Sequence, residues 1–206
     1  MKSFLSFLFI LFATICVNAD SSLYERGKEL IEAKDYDKAL KAFVLAANTG
    51  DLDAMTAVGI MYIGGWGVEQ SDQLGLEYIT KAAKQSHPKA QYSLGAIYYL
   101  GVGVPVDFDK AFSWLSLSAK QGYLDAQHNL AEMYETGKGV KKNLKKAYEY
   151  YLMAARKHNP DSQIKVAAMY RDGIGTEKNL EKSQYWLDQV EKSKQGNQRP
   201  LLSNTQ

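Results

Sequence analysis

Three sets of residues in this chain have types and spacing from which chemistry can be made. They are four Gly-x-Gly turns, a pair of glutamates and three histidines. Gly65/Gly67, Gly101/Gly103, Gly137/Gly139 and Gly173/Gly175 have the composition of an anion cradle. A phosphate loop needs a strand before it and a helix whose N-terminus meets the anion. Here a helical run precedes every copy and the copies are alike, so the glycines read as tight interhelical turns that require positive φ. Glu132 and Glu135 stand three apart on one helix face. Acid–base work needs such a pair to flank a closed pocket; a solvated, hydrogen-bonding face is the plainer reading. His87, His128 and His158 show no i, i+4 pair and no accompanying cysteine, so no metal site is expected. Ser113, Ser116 and Ser118 lie along one helix without a Gly-x-Ser-x-Gly elbow, and no serine has a marked base partner. No catalytic residue, metal or cofactor is expected.

What positions these residues is a repeat. Blocks starting at Asp53, Lys89, Asp125 and Asp161 superpose every 36 positions without an insertion. The second position reads Ala54, Ala90, Ala126, Ser162; the tenth reads Tyr62, Tyr98, Tyr134, Tyr170; the Gly-x-Gly follows. A fixed period of this size is the signature of a stacked repeat protein. Each block reads as two helices. In Lys89–Leu100, Ala90, Leu94 and Tyr98 recur on one face. After the turn, Ala111, Trp114, Leu115, Ser118 and Ala119 form the stripe of the second helix.

The second helix is given a start by Asp35, Ser71, Asp107, Asn143 and Asn179, all residue types whose side-chain oxygen accepts from an orphan N–H of the first turn. Lys38, Lys110, Lys146 and Lys182 sit in that first turn, where the helix dipole disfavours cations by a few tenths of a kcal/mol against about 1 for the cap. Gly59, Gly95, Ala131 and Ala167 form one small-residue column, and Gly75, Ala111, Ala147 and Ser183 another, where helices must approach closely. Aromatics fill the spaces between: the tyrosines above with Tyr78, Trp114, Tyr150 and Trp186. A single hairpin cannot bury these columns; a stack can.

The chain opens with a shorter hairpin over residues 20–52, four loop residues short, with Gly27 in the place of the motif glycine. Full repeats follow over 53–88, 89–124, 125–160 and 161–196. In the last, Glu191 replaces the column Ala83, Ala119, Ala155, so Leu180–Lys194 reads as a closing helix with nothing beyond it. The polar segment from Gln195 onward, with 197–206 as its end, reads as a disordered tail.

Residues 1–19 read as a secretory leader. Lys2 is followed by an apolar run from Phe4 to Val17, and Val17-Asn18-Ala19 is a small-residue cleavage site. The run is too short for a stable membrane span. Cleavage removes Cys16, the sole cysteine, so no internal disulfide is expected in an oxidising compartment. The formal charge of +2 falls by one with Lys2, and no basic block remains to attract nucleic acid or an anionic membrane. The chain is long enough to bury about 70% of its unfolded surface without a crosslink.

One column on the first helices points away from the packing stripe. It comprises Thr56, Ile60 and Ile63; Tyr92, Ala96 and Tyr99; His128, Glu132 and Glu135; and Ile164, Ala168 and Arg171. Aromatics and arginine are common interface anchors. The same side chains are also placed to pack against a neighbouring first helix, and the sequence leaves both readings open.

The third block supplies Ala90, Leu94, Gly95, Tyr98, Gly101, Gly103, Val104, Asp107, Lys110, Ala111, Trp114, Ala119 and Gly122. At these residues the chain resembles the Sel-one-like repeat (SLR) family, related to the tetratricopeptide repeats, in its bacterial secreted or periplasmic form. Departures are Leu74-Gly75 and Lys182-Ser183 where the family has Lys-Ala. The resemblance implies an all-α, right-handed superhelical solenoid of stacked helix hairpins whose concave side is lined by the first helices. It makes the column above the groove for a protein or peptide partner. It implies a non-catalytic adaptor in the periplasm or outside the cell, active in host interaction or envelope regulation. The alternative it offers is a weak envelope hydrolase of β-lactamase type, as described for cysteine-rich relatives, whose paired cysteines this chain lacks. A passive spacer is a third reading. Partner identity and oligomeric state are not encoded in any motif.

Overall fold

The computed structural model describes residues 23–197. The leader (1–19) with Cys16, and the tail beyond Asn197, lie outside these residues. All regular structure among the described residues is α-helix. The chain divides into two compact units that meet at Val106 and Asp107. The first holds α1 (residues 23–32), α2 (Tyr36–Asn48), α3 (Leu52–Gly64), α4 (Asp72–Lys84) and α5 (Pro88–Leu100). The second holds α6 (Phe108–Lys120), α7 (Leu124–Thr136), α8 (Leu144–Arg156), α9 (Pro160–Asp172) and α10 (Leu180–Asn197). In the first unit α2 packs on α3, α3 on α4 and α4 on α5, and α3 also touches α5. In the second, each helix packs on the next from α6 to α10. These are stacked helix hairpins, the element order of an α-solenoid.

The five expected caps are all in place. Asp35, Ser71, Asp107, Asn143 and Asn179 accept from the backbone N–H three residues on, each replacement by Ala costing about 1 kcal/mol. The first-turn lysines are better placed than the dipole argument alone suggests. Lys38 and Lys110 reach back to their own cap aspartates at 2.6 and 3.0 Å. Lys146 and Lys182, whose caps are neutral asparagines, instead lie over the rings of Tyr134 and Tyr170 at 5.2 and 5.4 Å. An exposed ammonium over an aromatic ring gains about 0.5–1 kcal/mol, enough to offset the dipole. The motif tyrosine has a second duty: it stacks on the second-helix aromatic, as in Tyr62–Tyr78 and Tyr134–Tyr150 at 5.9 and 5.8 Å.

The small columns are where backbones meet. Gly59 and Gly75 face each other between α3 and α4: a Cβ on either would lie 2.8 or 2.6 Å from the other's carbonyl oxygen. Ala111, Ala131 and Ala147 are fully buried. Gly27 packs on the Phe43 ring, as Gly59 packs on Ile79, so the opening hairpin shares the frame despite its short loop. A polar rung repeats as well. Gln91, Gln127 and Gln163, all buried, donate Nε2–H to the carbonyls of Ala83, Ala119 and Ala155 in the last turn of the preceding helix, at 3.2–3.3 Å.

The two glycines of each turn do different work. The first ends the helix in the left-handed region: Gly137 has φ 81° and donates to the Met133 carbonyl. The second touches the preceding repeat. A Cβ on Gly139 would collide with the Phe108 carbonyl at the start of α6, and one on Gly67 would lie 2.5 Å from the Tyr36 carbonyl at the start of α2. Gly175 meets the Leu144 carbonyl in the same way, and Gly103 meets the Asp72 side chain. The closing helix departs from expectation: α10 continues through Asn197, so Gln195 to Asn197 are helical and not tail. The helix runs through Gly196, whose cost there is about 1 kcal/mol relative to Ala, because extending an existing helix needs no new nucleus.

Two predictions follow from the backbone. Gly137→Ala strains only its own φ and is expected to cost about 1–2 kcal/mol in urea unfolding. Gly139→Ala adds a collision with Phe108 and is expected to cost clearly more, about 1–3 kcal/mol beyond that. Equal losses would show that the second glycine does not hold the neighbouring repeat. Separately, Ser86 and His158 occupy left-handed φ of 63° and 65° in the column where Gly50 and Gly122 stand. Ser86→Gly and His158→Gly should each raise stability by about 0.5–1 kcal/mol, read as a higher thermal midpoint.

Candidate binding surface

The first-helix column has two different fates in the two units. In the first unit, two of its members turn inward. Thr56 is fully buried, and its hydroxyl donates to the Leu52 carbonyl at 2.7 Å. Ile63 packs over Gly75 of α4, where the missing side chain gives it room. Thr56 therefore lines no groove, which corrects the expectation for it; Ile63 stays half-buried. Ile60 does face a hollow. It lines a pocket of about 270 Å³ with Tyr24, Lys28, Ile31 and Glu32 of α1, Phe43, Ala57, Met61, Trp66 and Lys89. Tyr92 and Tyr99 are half-buried on α5, and Ala96 lies between them half-buried.

In the second unit the column is drawn into a polar network joining α7, α8 and α9. Glu135 Oε2 accepts from the Tyr151 hydroxyl at 2.8 Å and from Lys165 Nζ at 2.9 Å. Burial alone would push the Glu135 carboxyl up; the Lys165 ammonium and the Tyr151 hydroxyl outweigh it and hold it below the usual range. The Lys165 ammonium also lies over the Tyr151 ring. His128 meets that ring edge-on at 5.3 Å and shares a 2.8 Å hydrogen bond between Nδ1 and the Ser162 hydroxyl. Burial pushes its imidazole below the ordinary value, against the pull of the Asp161 and Glu132 carboxylates. Glu132 is half-buried. Ile164 is 47% exposed on α9. Arg171 is exposed and clasps the neighbouring Asp172 at 2.7 and 2.8 Å.

A serine with a base partner therefore exists, contrary to the sequence reading: His128 and Ser162 are far apart in the chain and meet only when α7 packs on α9. Their chemistry is closed off. Ser162 has no exposed surface, so no substrate carbonyl reaches its hydroxyl in this arrangement. Glu132 and Glu135 are likewise no acid–base pair across a cleft, since Glu135 is held by Lys165 and Tyr151. Among the described residues no three His, Cys, Asp or Glu side chains are grouped to hold a metal.

The sequence column began at Asp53 and so missed the pocket residues on the opening hairpin. Aligning Gly27 with Gly59 would have found two of them: Tyr24 then matches Thr56, and Lys28 matches Ile60. Trp66 was passed over as the middle residue of a Gly-x-Gly turn. Its ring stacks on Tyr36 at 6.1 Å and remains 46% exposed.

The Sel1 repeat family model matches residues 19–51, 52–87, 88–123, 124–159 and 160–189, nearly the whole described chain. The chain belongs to the Sel1 repeat family. A protective antigen of uropathogenic Escherichia coli strains, displaying an SLR fold, shares 28% identity over 84% of this Sel1 repeat chain at a TM-score of 0.76. A Sel1 repeat protein from Oxalobacter formigenes shares 32% over 77% at 0.72. The chain spans 38% and 46% of the lengths of those two proteins. No curated protein matches it by sequence. Among the described residues no helix is long and apolar enough to cross a membrane.

The buried histidine gives a pH prediction. The folded protein binds the His128 proton less tightly than the unfolded chain does, so acid favours unfolding. The stability held by this group is complete above the unfolded value near 6.5 and is lost as pH falls towards the depressed folded value. Glu135 adds a second loss below its ordinary 4.5. Urea midpoints measured from pH 7.5 to 5 should fall, and His128→Gln should flatten that fall. An unchanged slope in the variant would remove His128 as its source.

Proposed function

We propose that this Sel1 repeat protein is a non-catalytic adaptor that holds a protein or peptide against the first-helix face. The observation that carries the reading is the pocket of about 270 Å³ beside Ile60, apolar on most of its wall and open at a face the fold does not fill. Clefts of this composition, with a few polar groups at the edge, are what side-chain recognition uses. The family membership supports the same reading, since its repeats are generally scaffolds for protein binding. In this reading residues 1–19 direct the chain out of the cytoplasm, and it acts in the periplasm or beyond the cell, where host interaction or envelope regulation are the roles that fit. An envelope hydrolase fits less well, because Ser162, which has the His128 partner, is sealed.

Selection of phage-displayed random peptides on the immobilised chain from Asp20 onward tests this. A shared sequence pattern is expected, and soluble peptides carrying it should compete with the phage. Enrichment of no pattern, together with turnover of a β-lactam that Ser162→Ala abolishes, would overturn the reading.

A further inference from the structure

The pocket in the first unit and the polar network in the second are one place in the repeat, occupied differently. Ala57 stands three repeats before Lys165, and Phe43 three repeats before Tyr151. With Gly27 aligned on Gly59, Ile31 corresponds to Glu135. In the second unit the Lys165 side chain crosses from α9 to Glu135 of α7 and the Tyr151 ring of α8, and the space is filled. In the first unit Ala57 has no side chain to make that crossing. The hollow between Ile31, Phe43 and Ala57 is what remains.

The charges at the rim are unequally satisfied. Lys28 is held by Glu25 at 2.8 Å. Lys89 has looser company: the Tyr24 hydroxyl at 3.4 Å and the Asp53 carboxylate at 3.8 Å, which itself lies 3.4 Å from His87. An ammonium has three donors, and here none has a short, charge-matched acceptor. The wall opposite is aromatic and aliphatic. We infer that the pocket takes one aromatic or branched aliphatic side chain of a partner peptide, and that an acidic residue next to this anchor pairs with Lys89. Glu32, on the α1 side of the rim, disfavours the carboxylate there and sets the direction in which the peptide runs. This inference rests on the adaptor reading and adds to it the chemistry of the ligand: an apolar anchor followed by an acid.

The test uses the chain from Asp20 onward, isotope-labelled, titrated with acetylated and amidated hexapeptides of glycine and serine that carry Phe-Asp, Phe-Asn or Ala-Asp at the centre. Phe-Asp should shift the amide resonances of Ala57, Ile60 and Lys89, bind about fivefold tighter than Phe-Asn, and outbind Ala-Asp by more. Lys89→Gln should erase the difference between Phe-Asp and Phe-Asn. Ala57→Met, which fills the hollow without adding charge, should abolish binding while its thermal midpoint stays at or above that of the parent. Equal affinity for Phe-Asp and Phe-Asn in the parent, or undiminished binding by Ala57→Met, would overturn the inference. Peptides selected on the parent that still bind Ala57→Met would leave the adaptor reading standing and sink this one alone. A parent chain that selects no peptide sinks this inference, and if it also turns over a β-lactam in a way that Ser162→Ala abolishes, the adaptor reading falls with it.

Discussion

The contact on which the stack depends is made by a residue without a side chain. At Gly67, Gly139 and Gly175 the turn of one repeat lies directly against the backbone at the start of the preceding second helix, and at Gly103 it lies against the side chain of Asp72, the first residue of that helix. That contact fixes the distance between repeats, and distance decides everything packed within it. The glutamine rung reaches the preceding helix only at that spacing, and so do the aromatic pairs that cross between repeats, Phe112–Tyr134 and Tyr148–Tyr170. Dispersion falls off steeply over half an ångström. A turn one methyl group wider would loosen contacts along a whole face. The glycines therefore act as spacers of defined thickness, and the cap column sets where each second helix begins relative to them.

Much of this frame was legible because it repeats. Five cap residues in register, four turns and two small columns carry local physics that needs no tertiary knowledge: a side-chain oxygen for an orphan N–H, a left-handed φ, a place for close approach. What was not legible was relation across repeats. Gln91, Gln127 and Gln163 are visible as a column, but nothing local says that a glutamine so placed is buried and reaches a carbonyl eight residues back. His128 and Ser162 are 34 residues apart and become partners only by packing. Thr56 and Ile63 share a helical face with Ile60, yet Thr56 is buried and Ile63 packs over Gly75, because the face is wider than the hollow it borders. Helical periodicity resolves direction to about a third of a turn; whether a side chain in that direction meets solvent or a neighbour depends on the size of residues one repeat away.

The same limit explains why the first-helix column looked like a single groove. Along it the polar members of the second unit are satisfied among themselves: Glu135 with Lys165 and Tyr151, Arg171 with Asp172, His128 with Ser162. Groups so paired give a partner little to gain, because recognising one means breaking a bond already made. They stabilise and orient helices. The first unit has fewer such groups on this face, and the loosest of them borders the apolar hollow. Charge on a sequence column is thus a poor guide to recognition; loosely paired charge beside unfilled volume is a better one, and only packing reveals it.

The residues that define the family and the residues that choose a ligand are consequently different sets. Glycines, alanines and tyrosines of the frame fix the helix positions and are silent about what is bound. The column of Ala57, Ser93, Asn129 and Lys165 lies outside that frame. At this column a long side chain closes the gap between first helices, and a methyl group leaves it open. Frame and ligand site then vary independently: repeats can be added or removed without changing which of them carries a hollow. Likeness to longer Sel1 repeat proteins accordingly establishes the scaffold. In the proposed reading, what this chain holds depends on side-chain volume at one position per repeat and on how tightly the charge next to it is already paired.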